Sequence, residues 1–214
     1  MLAGVVLTLV PMILSLTVHE FAHAWAGKKL GDTTAEDMGR LTLNPLAHID
    51  PIGTLLLPVL LMSRGLPWFG WAKPVPFNPA RFTRKINMRT GAMLVAAAGP
   101  ASNLIMAVVC AGTLAGLVHA GVSGQAPEAL LLLLQRMVQL NIGLFVFNMI
   151  PIAPLDGQKV LGGLLRGNTA VQFDRINARF GWIALIALVA FGGEIMAAPV
   201  VYIWNGLWSA FGLG

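Results

Sequence analysis

Three ionisable side chains within five residues raise the first question of chemistry: His19, Glu20 and His23, in the run Val18-His19-Glu20-Phe21-Ala22-His23. On a helix, four residues advance the chain by about 400°, so His19 and His23 project from nearly one face, about 6 Å apart along the axis. Two imidazoles so placed can grip one tetrahedral metal ion, zinc above all. Glu20 is then placed to take a proton from a water that the metal activates. Such a five-residue pattern recurs by chance in soluble chains. Here it lies in an apolar stretch, where uncompensated ionisable groups cost several kcal/mol and are functional by default.

A catalytic zinc takes three protein ligands and leaves one position open, so a third ligand must come from elsewhere. The choice is among nine acidic residues and two further imidazoles, His48 and His119. Asp32, Glu36 and Asp37 fall in a polar loop, Asp174 sits among other charges, and Glu128 lies on the opposite face by the topology below. Asp156 stands out in Asn148-Met149-Ile150-Pro151-Ile152-Ala153-Pro154-Leu155-Asp156-Gly157, where two prolines prevent a helix from continuing and Gly157 permits a tight turn. The plain alternative for Asp156 is a cap or turn residue. His48 and Asp50, beside Pro45 and Pro51, fit the ordering of a loop better than metal ligation.

The elements that must carry these residues follow from composition. Of 214 residues, 57% are hydrophobic and 11% charged, and the mean hydropathy is +0.76. Soluble domains carry about a quarter charged residues, so a water-soluble globule is excluded and the surplus apolar surface must face lipid. Cys110 is the sole cysteine, which rules out an intrachain disulfide or a cysteine metal knuckle. The net charge of +5 would suggest nucleic acid in a soluble chain; in a membrane protein it belongs to cytoplasmic loops, and no nucleic-acid partner is expected.

Apolar stretches predict membrane helices over 1–27, 91–118, 129–150 and 180–201, the last interrupted by Gly192, Gly193, Glu194 and Pro199. Residues 200–214 form a further lipid-surface or re-entrant piece. Residues 52–62 are too short to span, since a crossing needs about 20 residues. Nine of the fourteen basic residues lie in 28–90, four in 157–179 and none in 119–128, while Arg136 alone falls within an apolar stretch. Both basic loops are therefore cytoplasmic, and 52–62 is re-entrant or interfacial. The first helix then runs outside to inside, and so does the one before Asp156. The expected fold is an all-α polytopic membrane bundle of about four to six helices, with a re-entrant or interfacial segment and a short extended strand or loop near the site. His19, His23 and Asp156 fall at a similar depth near the cytoplasmic face.

With these residues the chain resembles the site-2 protease family of intramembrane zinc metalloproteases. The resemblance rests on His19-Glu20-x-x-His23 and on Asn148-x-x-Pro151-x-x-Pro154-Leu155-Asp156-Gly157, in that order. The segments Leu43 to Pro51, Phe69 to Pro76 and Ala98 to Asn103 look like the compact bacterial branch, which lacks PDZ and nucleotide-sensing domains. The match covers about residues 15–166; Ala153 and Gln158 depart from the usual signature without touching a ligand. One domain over 1–214 is expected, with a catalytic core of about 1–166 and C-terminal membrane segments over 180–214.

The resemblance implies one zinc ion per chain held by His19, His23 and Asp156, with Glu20 as general base. It implies that Asn148 steadies an oxyanion or the substrate backbone, against the alternative of a helix-end hydrogen bond. Asn103 could line the site or simply pack. A transmembrane substrate must unwind before its peptide bonds are accessible, and Phe69, Gly70, Trp71, Ala72, Lys73 and Pro74 begin an extended rail to which an unwound strand could add. The alternative there is an interfacial loop anchored by Trp68 and Trp71. The implied activity is regulated intramembrane proteolysis at the inner cell membrane, with membrane-spanning proteins as substrates, the bilayer as environment and a homo-oligomer allowed. An inactive helix-binding relative, a transporter, and another membrane metalloprotease using Glu194 are the competing readings.

Overall fold

The computed structural model describes residues 2–64, 70–124 and 126–213. Among them the chain forms helices α1 (Leu2–Lys29), α2 (Thr34–Asp37), α3 (Leu57–Ser63), α4 (Met88–His119), α5 (Glu128–Asn148), α6 (Asp156–Leu164), α7 (Gly167–Phe191) and α8 (Gly193–Phe211), and no β ladder. Short 3₁₀ turns occupy Pro45–Ala47 and Pro79–Arg81.

The ends of these helices follow local chemistry. Lys28 and Lys29 fall in the last turn of α1, where cations complement the helix dipole. The Asn87 side chain accepts from the Thr90 N–H at 2.7 Å and starts α4 three residues ahead of the expected Gly91. The helix α5 stops at Asn148, just ahead of Pro151.

Three helices, α1, α4 and α5, are long and apolar enough to cross a membrane, and α7 with α8 makes a fourth if that pair, bent by 74° at Gly192, is one span. This is the lower end of the expected range. Residues 51–63 form a π-helical turn, Pro51–Leu56, running into α3, a piece too short to cross. The terminal apolar tail is the continuation of α8 through Pro199, not a separate piece. Residues 167–179 already belong to α7, although Asp174, Arg175 and Arg179 break the apolar run there.

Helix α4 is central, packed against α1, α5 and α6. Its buried faces use small residues, Gly91, Ala96, Gly99, Ala107 and Ala111 among them, which let backbones approach closely where lipid supplies no hydrophobic drive. Val138, Ile142 and Val146 of α5 fill the seam with Ala107 and Ala111, and α8 lays Trp204 and Trp208 against it. Below the bundle, Arg89 ties α4 to α6 through the Gly162 carbonyl (2.5 Å) and to α7 through Asp174 (3.0 Å).

Candidate active site

His19 and His23, one helical turn apart on α1, are buried with their rings edge to face, and their Nε2 atoms lie 3.0 Å apart. Asp156, the first residue of α6, brings Oδ2 to 3.2 Å from His19 Nε2 and 3.3 Å from His23 Nε2. The prolines and Gly157 that suggested a turn thus deliver Asp156 into the first turn of a helix. Gly157 is needed there: a Cβ would lie 2.3 Å from the Met149 carbonyl oxygen. On the other side Asn177 of α7 accepts from the Ala153 N–H at 2.8 Å, which fixes the turn before Asp156.

These three residues fit a zinc ion. A tetrahedron with bonds of about 2.0 Å has edges of about 3.3 Å, close to the three separations observed. The Nδ1 atoms are engaged elsewhere, His19 with Asn103 Oδ1 and His23 with the Val95 carbonyl, both at 2.7 Å. With Nδ1–H donating in each ring, both Nε2 lone pairs face the carboxylate, an all-acceptor set that a cation holds together. Gly99 of α4 supplies the close wall: a Cβ there would stand 2.4 Å from His23 Nε2 and 2.7 Å from His19 Cε1.

Glu20, also buried, accepts from the backbone N–H of Val75 at 2.8 Å. Val75 belongs to a strap over residues 70–78, neither helix nor ladder, that reaches Glu20. The Trp71 N–H donates to the Gly53 carbonyl (3.3 Å), the Lys73 N–H to the His48 carbonyl (2.8 Å) and the Asn78 N–H to Asp32 Oδ2 (2.6 Å). The Trp71 carbonyl accepts from the Thr54 hydroxyl (2.7 Å), and the buried Arg40 guanidinium donates to the carbonyls of Ala47, Lys73 and Pro74. Asp32 is pushed up by burial but ends below its ordinary pKa, because the Thr34 hydroxyl, the N–H groups of Asn78 and Thr34, and the Arg81 charge all favour the anion.

Of the residues expected in the substrate segment, Gly70, Trp71, Ala72, Lys73 and Pro74 lie on this strap, and Phe69 and Trp68 lie outside the described residues. Ala72 is buried, and Trp71, Lys73 and Pro74 are exposed. Gly70 also lines a groove of about 390 Å³ between α1 and α5, together with Met12, Leu16, Arg136 and Leu140, which is where the intramembrane Arg136 finds its place. Asn148 is half-buried at the end of α5 and donates to the Leu144 carbonyl at 3.0 Å. His48 is buried, its Nε2 against the Thr42 carbonyl at 2.8 Å, and Asp50 caps the turn at Pro51 through the N–H groups of Ile52 and Gly53. The sequence reading passed over Arg40, Asn141 and Asn177: single polar residues in a loop or an apolar run, with no spacing to mark them.

A sequence model of Peptidase family M50 matches residues 111–189. The "Putative zinc metalloprotease YwhC" of Bacillus subtilis is 39% identical over 182 residues, covering 84% of this chain and 78% of that protein. The "Putative zinc metalloprotease Rip2" of Mycolicibacterium smegmatis is 34% identical over 109 residues, 50% of this chain and 39% of its own length. Its namesake from Mycobacterium tuberculosis is 33% identical over 172 residues, 78% of this chain and 61% of its own. No solved structure matches the chain.

Proposed function

The chain belongs to peptidase family M50, the site-2 protease family of membrane zinc metalloproteases, and on that premise we propose that it hydrolyses peptide bonds in or near the transmembrane segments of membrane-tethered proteins. The observation that carries this reading is the convergence of His19, His23 and Asp156 on one point beside Glu20, within a bundle of apolar helices. His19, His23 and Asp156 would hold one zinc ion. When bound, zinc polarises a peptide carbonyl and makes a water acidic enough to attack at neutral pH.

Glu20 does the proton work. Its carboxylate, oriented by the Val75 N–H, takes the proton of the attacking water and returns it to the leaving amine as the C–N bond breaks. Asn148 serves as an amide donor to the developing oxyanion once it releases the Leu144 carbonyl. The strap from Gly70 to Pro74 orients the unwound substrate next to Glu20, and this end of the bundle faces the cytoplasm at the inner membrane, a reading that the lopsided distribution of basic residues supports.

Metal analysis and cleavage of a tethered substrate in detergent test the assignment together. Glu20→Gln is expected to retain about one zinc per chain and to lose cleavage. Asp156→Ala is expected to lose the zinc, and a full complement in that variant would overturn the ligand assignment. Replacing residues 71–76 with a Gly/Ser linker should leave zinc in place and stop cleavage; unchanged proteolysis would remove the strap from the substrate site.

A further inference from the structure

We propose that Asn141, which touches none of the metal ligands, is a positioning residue that fixes the tautomer of His19 through Asn103; the proposal rests on the zinc site put forward above. Ser15 of α1, Asn103 of α4 and Asn141 of α5 are fully buried and meet at the junction of the three spans. Asn141 Nδ2 donates to the Met137 carbonyl and to Ser15 Oγ, both at 2.8 Å. Asn103 Nδ2 donates to Asn141 Oδ1 at 2.8 Å and, more distantly, to the Ser15 carbonyl at 3.4 Å. Asn103 Oδ1 faces His19 Nδ1 at 2.7 Å.

The direction of every bond in this chain follows from one backbone group. A carbonyl has no proton, so the Asn141 atom that faces Met137 must be the NH₂ group. Asn141 therefore turns its oxygen to Asn103, and Asn103 must answer with its own NH₂ group, an orientation that the Ser15 carbonyl also favours. That leaves only the Asn103 oxygen for His19, so His19 carries its proton on Nδ1 and presents a bare Nε2 to the metal. Both amides are fully buried, and among the described residues neither has another side-chain or backbone partner with which to reverse. His23 reaches the same state by a shorter route, since its Nδ1 faces the Val95 carbonyl directly. It is an internal control that Asn141 does not reach.

Asn141→Leu removes the acceptor that orients Asn103, and Asn141→Asp in its neutral form restores it, the carbonyl accepting from Asn103 and the hydroxyl donating to Met137. In the full-length protein in detergent, chelator competition should show zinc binding weakened about 10- to 100-fold in Asn141→Leu and within a few-fold of wild type in Asn141→Asp. Long-range proton–nitrogen correlation spectra of histidine-labelled, zinc-free protein should show wild-type His19 protonated on Nδ1, with mixed tautomers in Asn141→Leu and an unchanged His23. Equal zinc affinity in wild type and Asn141→Leu, equal losses in the Leu and Asp variants, or a wild-type His19 protonated on Nε2 would each overturn the proposal. The wild-type spectrum decides even if Asn141→Leu does not fold. Absence of zinc binding by the wild-type protein would refute the metal site instead, a result distinct from any of these.

Discussion

Gly99 shows how little room the two imidazoles have. It sits in the middle of α4, and a methyl group there would press within 2.5 Å of His23 Cε1 as well as His23 Nε2. Glycine is a poor helix former, so replacing it with alanine favours the helix itself by up to about 1 kcal/mol. Gly99→Ala is therefore expected to leave helicity intact while zinc content falls to background, as circular dichroism and metal analysis of one preparation would show; full zinc occupancy would mean that the imidazoles are not seated against α4. The His19, His23 and Asp156 cluster was legible in the sequence, because a helical repeat puts His19 and His23 on one face and Asp156 follows two prolines. Asn103 was visible only as a polar residue in an apolar helix. Asn141 carried no signal, since its meaning depends on α1 and α4 passing beside it.

The strap is the element on which loop, helix and the Glu20 carboxylate meet. Its non-helical course was foreshadowed by Pro74, Pro76 and Pro79, but its partners were not, because Arg40, His48, Gly53 and Asp32 come from parts of the chain that sequence spacing does not relate. Residues 71, 73 and 75 send their N–H groups into the protein, and the alternate positions 74 and 76 are prolines with none to offer. A peptide lying along the outer edge there must contribute its own N–H groups. At the far end Asp32 anchors Asn78 as an anion whose pKa lies below the ordinary 3.8. A depressed carboxylate contributes its full stability above the unfolded pKa and loses it as pH falls through the folded one. Asp32→Asn should cost about 1–3 kcal/mol at neutral pH. The gap between the two melting curves in detergent should be flat down to about pH 5 and close below pH 3.8; a pH-independent gap would show that the charge of Asp32 plays no part.

Across the whole molecule, basic residues are absent from the α4–α5 connection and abundant before α4 and after α5, the asymmetry on which the proposed sidedness rests. The native thiol, Cys110, is buried and gives little background. In intact cells Gly124→Cys is expected to react with a membrane-impermeant maleimide and Arg84→Cys only after permeabilisation; the reverse pattern would invert the proposed orientation. The site unites residues that are far apart in the chain: His19 and His23 on the first helix, Asn103 on α4, Asn141 on α5 and Asp156 after it. This separation becomes a delay during synthesis. At about 5–20 residues per second, Asp156 follows His23 by roughly 7 to 27 seconds. For the first part of that interval α1 holds two imidazoles and a carboxylate without Val95 and Asn103 of α4, and for all of it without Asp156, so the first helix is at its least stable in the bilayer before α4 arrives.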